Sequence, residues 1–145
     1  MKRTTRTSSV VVALVAAAGL FVPSAALAAG RPLTTEMSGA NEVPPADPDG
    51  SGTARVWVNP GLNEVCYELT VADIAPAVAA HIHVAPVGVN GPIVVPLAAP
   101  TTGSSSGCAD VSRELAQALV MHPENYYVNV HNADYPGGAI RGQLS

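Results

Sequence analysis

His81 and His83 stand two apart in Ala79-Ala80-His81-Ile82-His83-Val84, and His131 closes Tyr127-Val128-Asn129-Val130-His131. In an extended chain residues i and i+2 project from the same face, so His81 and His83 are neighbours in space if their segment is a strand. Imidazole is the commonest protein metal ligand. Three imidazoles with an open fourth position suit copper or zinc. Each ring must be neutral to bind, so such a site loses affinity below about pH 6.5. The same residues allow a second reading, in which outward-facing histidines meet water or hydrogen-bond the carbonyls of nearby loops.

Strand parity favours a shared face. In residues 79–84 the aliphatic Ala80, Ile82 and Val84 fall on one side and the two histidines on the other. In residues 126–131 Tyr126, Val128 and Val130 oppose Tyr127, Asn129 and His131. A β-sandwich buries one face of each strand, and the aliphatic faces are the ones to bury. If the two strands are neighbours, the three imidazoles converge on one outer face. Asn129 then lies beside them, and Asp134 and Glu124 are further oxygen donors close by in the chain. His122 belongs to a helix end, where a cation suits the dipole.

Short alternating runs make up most of what surrounds these segments. Thr53 to Asn59 alternates and ends at Pro60-Gly61, a turn signal. Glu64 to Val71 follows as a strand with Val65, Tyr67, Leu69 and Val71 on its core face, and the two pair as a hairpin. Ile93 to Leu97 and residues 139–144 supply further strands. Thr101 to Gly107 is small and polar and reads as a surface loop. One helix is expected from about Ser112 to Met121, with Leu115, Ala118 and Leu119 on one side, Asp110 or Ser112 as cap, and Pro123 just past its end. Six or seven short strands and one short helix predict an all-β, antiparallel, Greek-key-like sandwich of the immunoglobulin or superoxide-dismutase type.

The first residues read as a leader. Lys2, Arg3 and Arg6 precede an apolar run from Val10 to Val22, and Ala26-Leu27-Ala28 fits a cleavage site. The run is shorter than the ~20 residues of a spanning helix. Residues 1–28 are therefore expected to be a signal peptide and residues 29–145 a single secreted domain with no membrane segment. That domain keeps Arg31, Arg55, Arg113 and Arg141, no lysine, and all 11 acids. An acidic chain without a basic stripe argues against nucleic acid and anionic membranes as partners. Cys66 and Cys108 are its two cysteines, and in an oxidising compartment they are expected to form a disulfide.

Other motifs fail on inspection. Asp47-Pro48-Asp49-Gly50 begins like an EF-hand loop, but position twelve is Val58 and no helices flank it. It is more economically a turn. Ser104, Ser105 and Ser106 lack the nucleophile-elbow pattern, and no phosphate-binding glycine loop is present.

Several segments resemble the CHRD (chordin-type) domain in order. Met37-Ser38-Gly39-Ala40-Asn41-Glu42-Val43-Pro44-Pro45 resembles its opening signature and Ala80-His81-Ile82-His83 its central motif. Asn90-Gly91-Pro92-Ile93-Val94 and Tyr127 through Leu144 resemble the remainder. Val84-Ala85-Pro86 stands where a glycine directly after the second histidine is common in the family. The resemblance implies an extracellular module whose molecular role is poorly defined. The His-x-His strand resembles, more distantly, the copper strand of copper/zinc superoxide dismutases. That analogy implies a place for Arg141 near the site, guiding anions, but the mature chain has too few histidines for the full dismutase ligand set.

The expected function is that of a secreted, non-catalytic binding module holding copper or zinc at His81, His83 and His131. The alternatives are a metal-free module contacting an extracellular protein or polymer, and a small copper redox enzyme.

Overall fold

The computed structural model describes residues 30–145, so the expected signal peptide lies outside the described residues. Eight strands form one antiparallel sheet: β1 (Arg31–Ser38), β2 (Ser51–Asn59), β3 (Glu64–Ala72), β4 (Ala77–Val84), β5 (Ile93–Leu97), β6 (Ser104–Asp110), β7 (Tyr126–Asn132) and β8 (Ile140–Gln143). Their order is β5-β4-β7-β8-β1-β2-β3-β6. The chain is all-β, as the alternation predicts, with one helix, α1 (Arg113–Met121). No helix among the described residues is long and apolar enough to cross a membrane.

The sheet folds over so that one face of each half lies inward. Leu33, Val56, Val58, Val65 and Leu69 come from the β1-β2-β3 side, and Ile82, Val95, Val128 and Val130 from the β4-β5-β7 side; all are buried in one core. Ala116 and Leu119 of α1 join that core. β1 meets β8 at Ser38 opposite Arg141, which joins the halves. Ser112 accepts a hydrogen bond from the Leu115 N–H at 3.1 Å, so it, rather than Asp110, caps α1.

Two segments depart from the sequence reading. β1 has no clean alternation, but it pairs with β2 along its whole length, from Arg31 opposite Val58 to Ser38 opposite Ser51. The polar stretch read as a loop over Thr101–Gly107 enters strand β6 at Ser104. Its small residues have a steric reason. Gly107 lies opposite Tyr67 of β3, and a Cβ there would come within 2.9 Å of the Tyr67 hydroxyl. That hydroxyl accepts from Ala98 N–H at 2.7 Å, while Ser105 Oγ donates to the Ala98 carbonyl at 2.7 Å. Together these bonds fasten the two ends of the sheet beyond β5 and β6. Cys66 and Cys108 are register partners on β3 and β6 and form the expected disulfide.

Candidate functional site

The pairing of β4 with β7 and of β7 with β8 builds the site. His81 stands opposite Asn129, and His83 opposite Tyr127; Asn129 in turn faces Arg141, and Tyr127 faces Gln143. Because Ile82, Val128 and Val130 turn into the core, alternation puts His81, His83, Tyr127, Asn129 and His131 together on the other face. Three connections roof this face: 39–50, 85–92 and 133–139. His83 is consequently buried, at 8 % exposure, rather than facing water. His81 and His131 are half-buried.

Each of the three histidines offers a ring nitrogen within 4.8 Å of the other two. Hydrogen bonds fix their tautomers. His83 Nδ1 lies 2.9 Å from the Gly91 carbonyl and His131 Nδ1 lies 3.0 Å from the Pro136 carbonyl. A carbonyl only accepts, so both Nδ1 atoms carry protons and both Nε2 atoms keep their lone pairs. His81 Nδ1 is 3.1 Å from His131 Nε2, so in the neutral cluster His81 donates there. His83 Nε2 is buried and has no hydrogen-bond partner. A buried nitrogen lone pair without a donor is a costly arrangement.

This arrangement fits a metal ion. Two nitrogens bound tetrahedrally to zinc at ~2.0–2.1 Å stand about 3.3 Å apart, close to the observed His81–His131 separation. Moving the His81 proton from Nδ1 to Nε2 frees Nδ1 as a donor without moving the ring. The Gly91 and Pro136 carbonyls then play the orienting role that outer partners play for metal-bound histidines. Copper or zinc bound there would supply Lewis acidity, and copper would add one-electron chemistry.

The electrostatics keep the rings neutral. Burial lowers the pKa of all three histidines. For His81 the neighbouring His131 and His83 add to the lowering. For His83 the Gly91 hydrogen bond works against it and Arg141 reinforces it; for His131 the Pro136 bond opposes it and His83 reinforces it.

His83 is also packed from the side. Tyr127 stacks on it with ring centres 4.8 Å apart and planes 6° from parallel. The Arg141 guanidinium lies 4.2 Å from the Tyr127 ring centre. It donates to Asn90 Oδ1 at 2.9 Å and to the Val89 carbonyl at 3.3 Å. Asn129 is buried and donates to Glu42 Oε1 at 2.6 Å, which turns its amide toward the 39–50 connection. Asp134 is exposed on the connection after β7, and Glu124 pairs with His122 at 3.5 Å on the surface. Neither carboxylate belongs to the three-histidine group.

Sequence reasoning missed Glu42, Gly91 and the stacking role of Tyr127. Parity does put Tyr127 on the histidine face. Nothing local marks Glu42, which is 5 % exposed and has its carboxyl pushed up to about 7, chiefly by burial, with Arg141 pulling it down. A carboxyl raised from 4.5 in the folded state stabilises the fold below 4.5 and loses that contribution as the pH rises to about 7. Glu42→Gln is expected to remove this decline, so the gap between the variant's and the parent's urea midpoints should widen in the variant's favour from pH 5 to pH 8.

Gly91 is required by space. A Cβ there would sit 1.9 Å from the Val84 carbonyl oxygen. Gly91→Ala is expected to cost roughly 1–3 kcal/mol of stability and to displace the carbonyl that orients His83. Urea unfolding and metal titration of one sample check both effects.

The model of the CHRD domain matches residues 33–144. No curated protein and no solved structure matched the chain.

Proposed function

The chain belongs to the CHRD domain family, and we propose that this member is an extracellular binding module that holds one copper or zinc ion through His81, His83 and His131. The observation that carries the reading is the buried Nε2 of His83, left without a hydrogen-bond partner while its Nδ1 is held by Gly91. The nearby nitrogens of His81 and His131 complete a three-imidazole set. The leader-like residues 1–28 and the Cys66–Cys108 disulfide support an oxidising, extracellular location.

Calorimetric titration of the metal-free protein with Zn(II) and Cu(II) at pH 7.5 tests the proposal. One equivalent bound well below a Kd of 0.1 mM (about −5 kcal/mol) is expected; no binding at that level rules it out. The lowered histidine pKa values set the sign of the pH dependence. A free imidazole protonates near 6.5, but these rings stay neutral further into acid. Affinity should therefore persist as the pH falls through 6.5 and be lost only as it passes through the depressed values.

A second reading has its own support. Each histidine already has a partner within the protein, at His131, Gly91 or Pro136, so the cluster can tie the roofing connections together without metal. The module would then act by contacting an extracellular protein or polymer. Val87, Val89 and Ile93, exposed around the β4–β5 connection, are the apolar residues available for that contact.

A further inference from the structure

Arg141 is 2 % exposed and permanently charged. Among the described residues the one ion pair within salt-bridge distance joins His122 to Glu124, so no carboxylate touches the Arg141 guanidinium. The carboxyl within its electrostatic reach is Glu42, which burial keeps largely protonated up to about pH 7, so the buried cation has no contacting counterion, a costly arrangement. The guanidinium has five N–H donors. Asn90 and Val89 each take one, from Nη1 and Nη2.

Arg141 also lines a cavity of about 310 Å³, with Asn41, Glu42, Val43 and Val87 among its walls. Asn41 gives one amide N–H to the Arg141 carbonyl, which leaves its second free to donate. Gln143, on the same wall, has both amide hydrogens engaged, by the Ala85 and Glu124 carbonyls. The cavity thus combines a buried cation, a spare amide donor and branched aliphatic side chains.

We propose that this cavity binds a small aliphatic carboxylate, with Arg141 as its counterion, Asn41 as a second donor, and Val43 and Val87 against its tail. Three charged or titratable groups bear on such a ligand: Arg141 from β8, Glu42 from the 39–50 connection, and His83 of β4, stacked on Tyr127. Asn129 of β7 and Asn90 of the β4–β5 connection are neutral. An ionised Glu42 repels an incoming carboxylate, so above about pH 7 the ligand enters with a proton taken up at Glu42. The site uses none of the three histidines as a ligand.

The test is a titration with isobutyrate at pH 6 and pH 8, followed by the NMR signals of the Arg141 and Asn41 side chains, with inorganic phosphate for comparison. Saturable 1:1 binding is expected, roughly tenfold tighter at pH 6, because Glu42 changes from mostly protonated to mostly ionised across about 7. Glu42→Gln should abolish that pH dependence. Val87→Glu, at a position 76 % exposed and therefore tolerant of change, should weaken binding at least severalfold by placing a competing carboxylate at the mouth. The proposal is overturned by the absence of saturable shifts up to about 100 mM isobutyrate. It is equally overturned if phosphate binds as tightly as isobutyrate, or if folded Val87→Glu protein binds like the parent.

Discussion

His83→Ala is expected to weaken Zn(II) and Cu(II) binding at least about a hundredfold while the sheet stays folded. Changing even an outer partner of a metal-bound histidine costs 10–100-fold, and this change removes a ligand outright. His83 is the sharpest choice of the three because its Nε2 is buried with no other partner. His81 and His131 can satisfy one another at 3.1 Å. The fold should lose only about 1–2 kcal/mol, since the Gly91 carbonyl loses its donor and Tyr127 loses a stacking partner. His122→Ala, at an exposed position paired only with Glu124, should leave metal binding unchanged. If His83→Ala instead unfolds the protein at pH 7.5 and the parent binds no metal, the histidines serve the fold, as the second reading holds.

The second large effect concerns the disulfide. Replacing both cysteines with alanine should lower stability by about 4 kcal/mol, the chain-entropy value for a loop closed across a separation of 42 residues. β6 has reason to depend on this link. Its Ser104-Ser105-Ser106-Gly107 segment has little β-propensity and makes no run of apolar contacts with the core. What holds it, besides the ladder to β3, is the disulfide and the Ser105–Ala98–Tyr67 bonds. The loss should read as a lower urea midpoint, and amide exchange should quicken first in β6. A change below about 1 kcal/mol would mean that the ladder and the Tyr67 bridge suffice.

The parts of the fold that were legible beforehand are those where period and burial agree. The core face of β3 follows from Val65, Tyr67 and Leu69, and α1 from the spacing of Leu115, Ala118 and Leu119 after a cap at Asp110 or Ser112. The histidine cluster was legible for the same reason: Ile82, Val128 and Val130 claim the core, so their neighbours must face outward. β1 and β6 were not legible, because their alternation is blurred and their place depends on partners distant in the chain. A strand edge can recruit Ser104 to Gly107 whatever their propensity, provided the steric demand of Tyr67 opposite is met. The roof over the site was equally hidden. That Gly91, Pro136 and Glu42 come to lie around His83, His131 and Asn129 follows from how three connections fold back over β4, β7 and β8, which no local pattern specifies.

Two-dimensional ¹⁵N–¹H NMR of the histidine rings, recorded at pH 7.5 before and after one equivalent of Zn(II), tests the metal-holding cluster most directly. Without metal, His83 and His131 should both show the proton on Nδ1. With zinc, the Nε2 signals of His83 and His131 should move to coordinated positions, and His81 should lose its Nδ1 proton, while His122 stays unchanged. A spectrum in which the three rings ignore the added zinc, or in which metal-free His83 carries its proton on Nε2, would contradict the account.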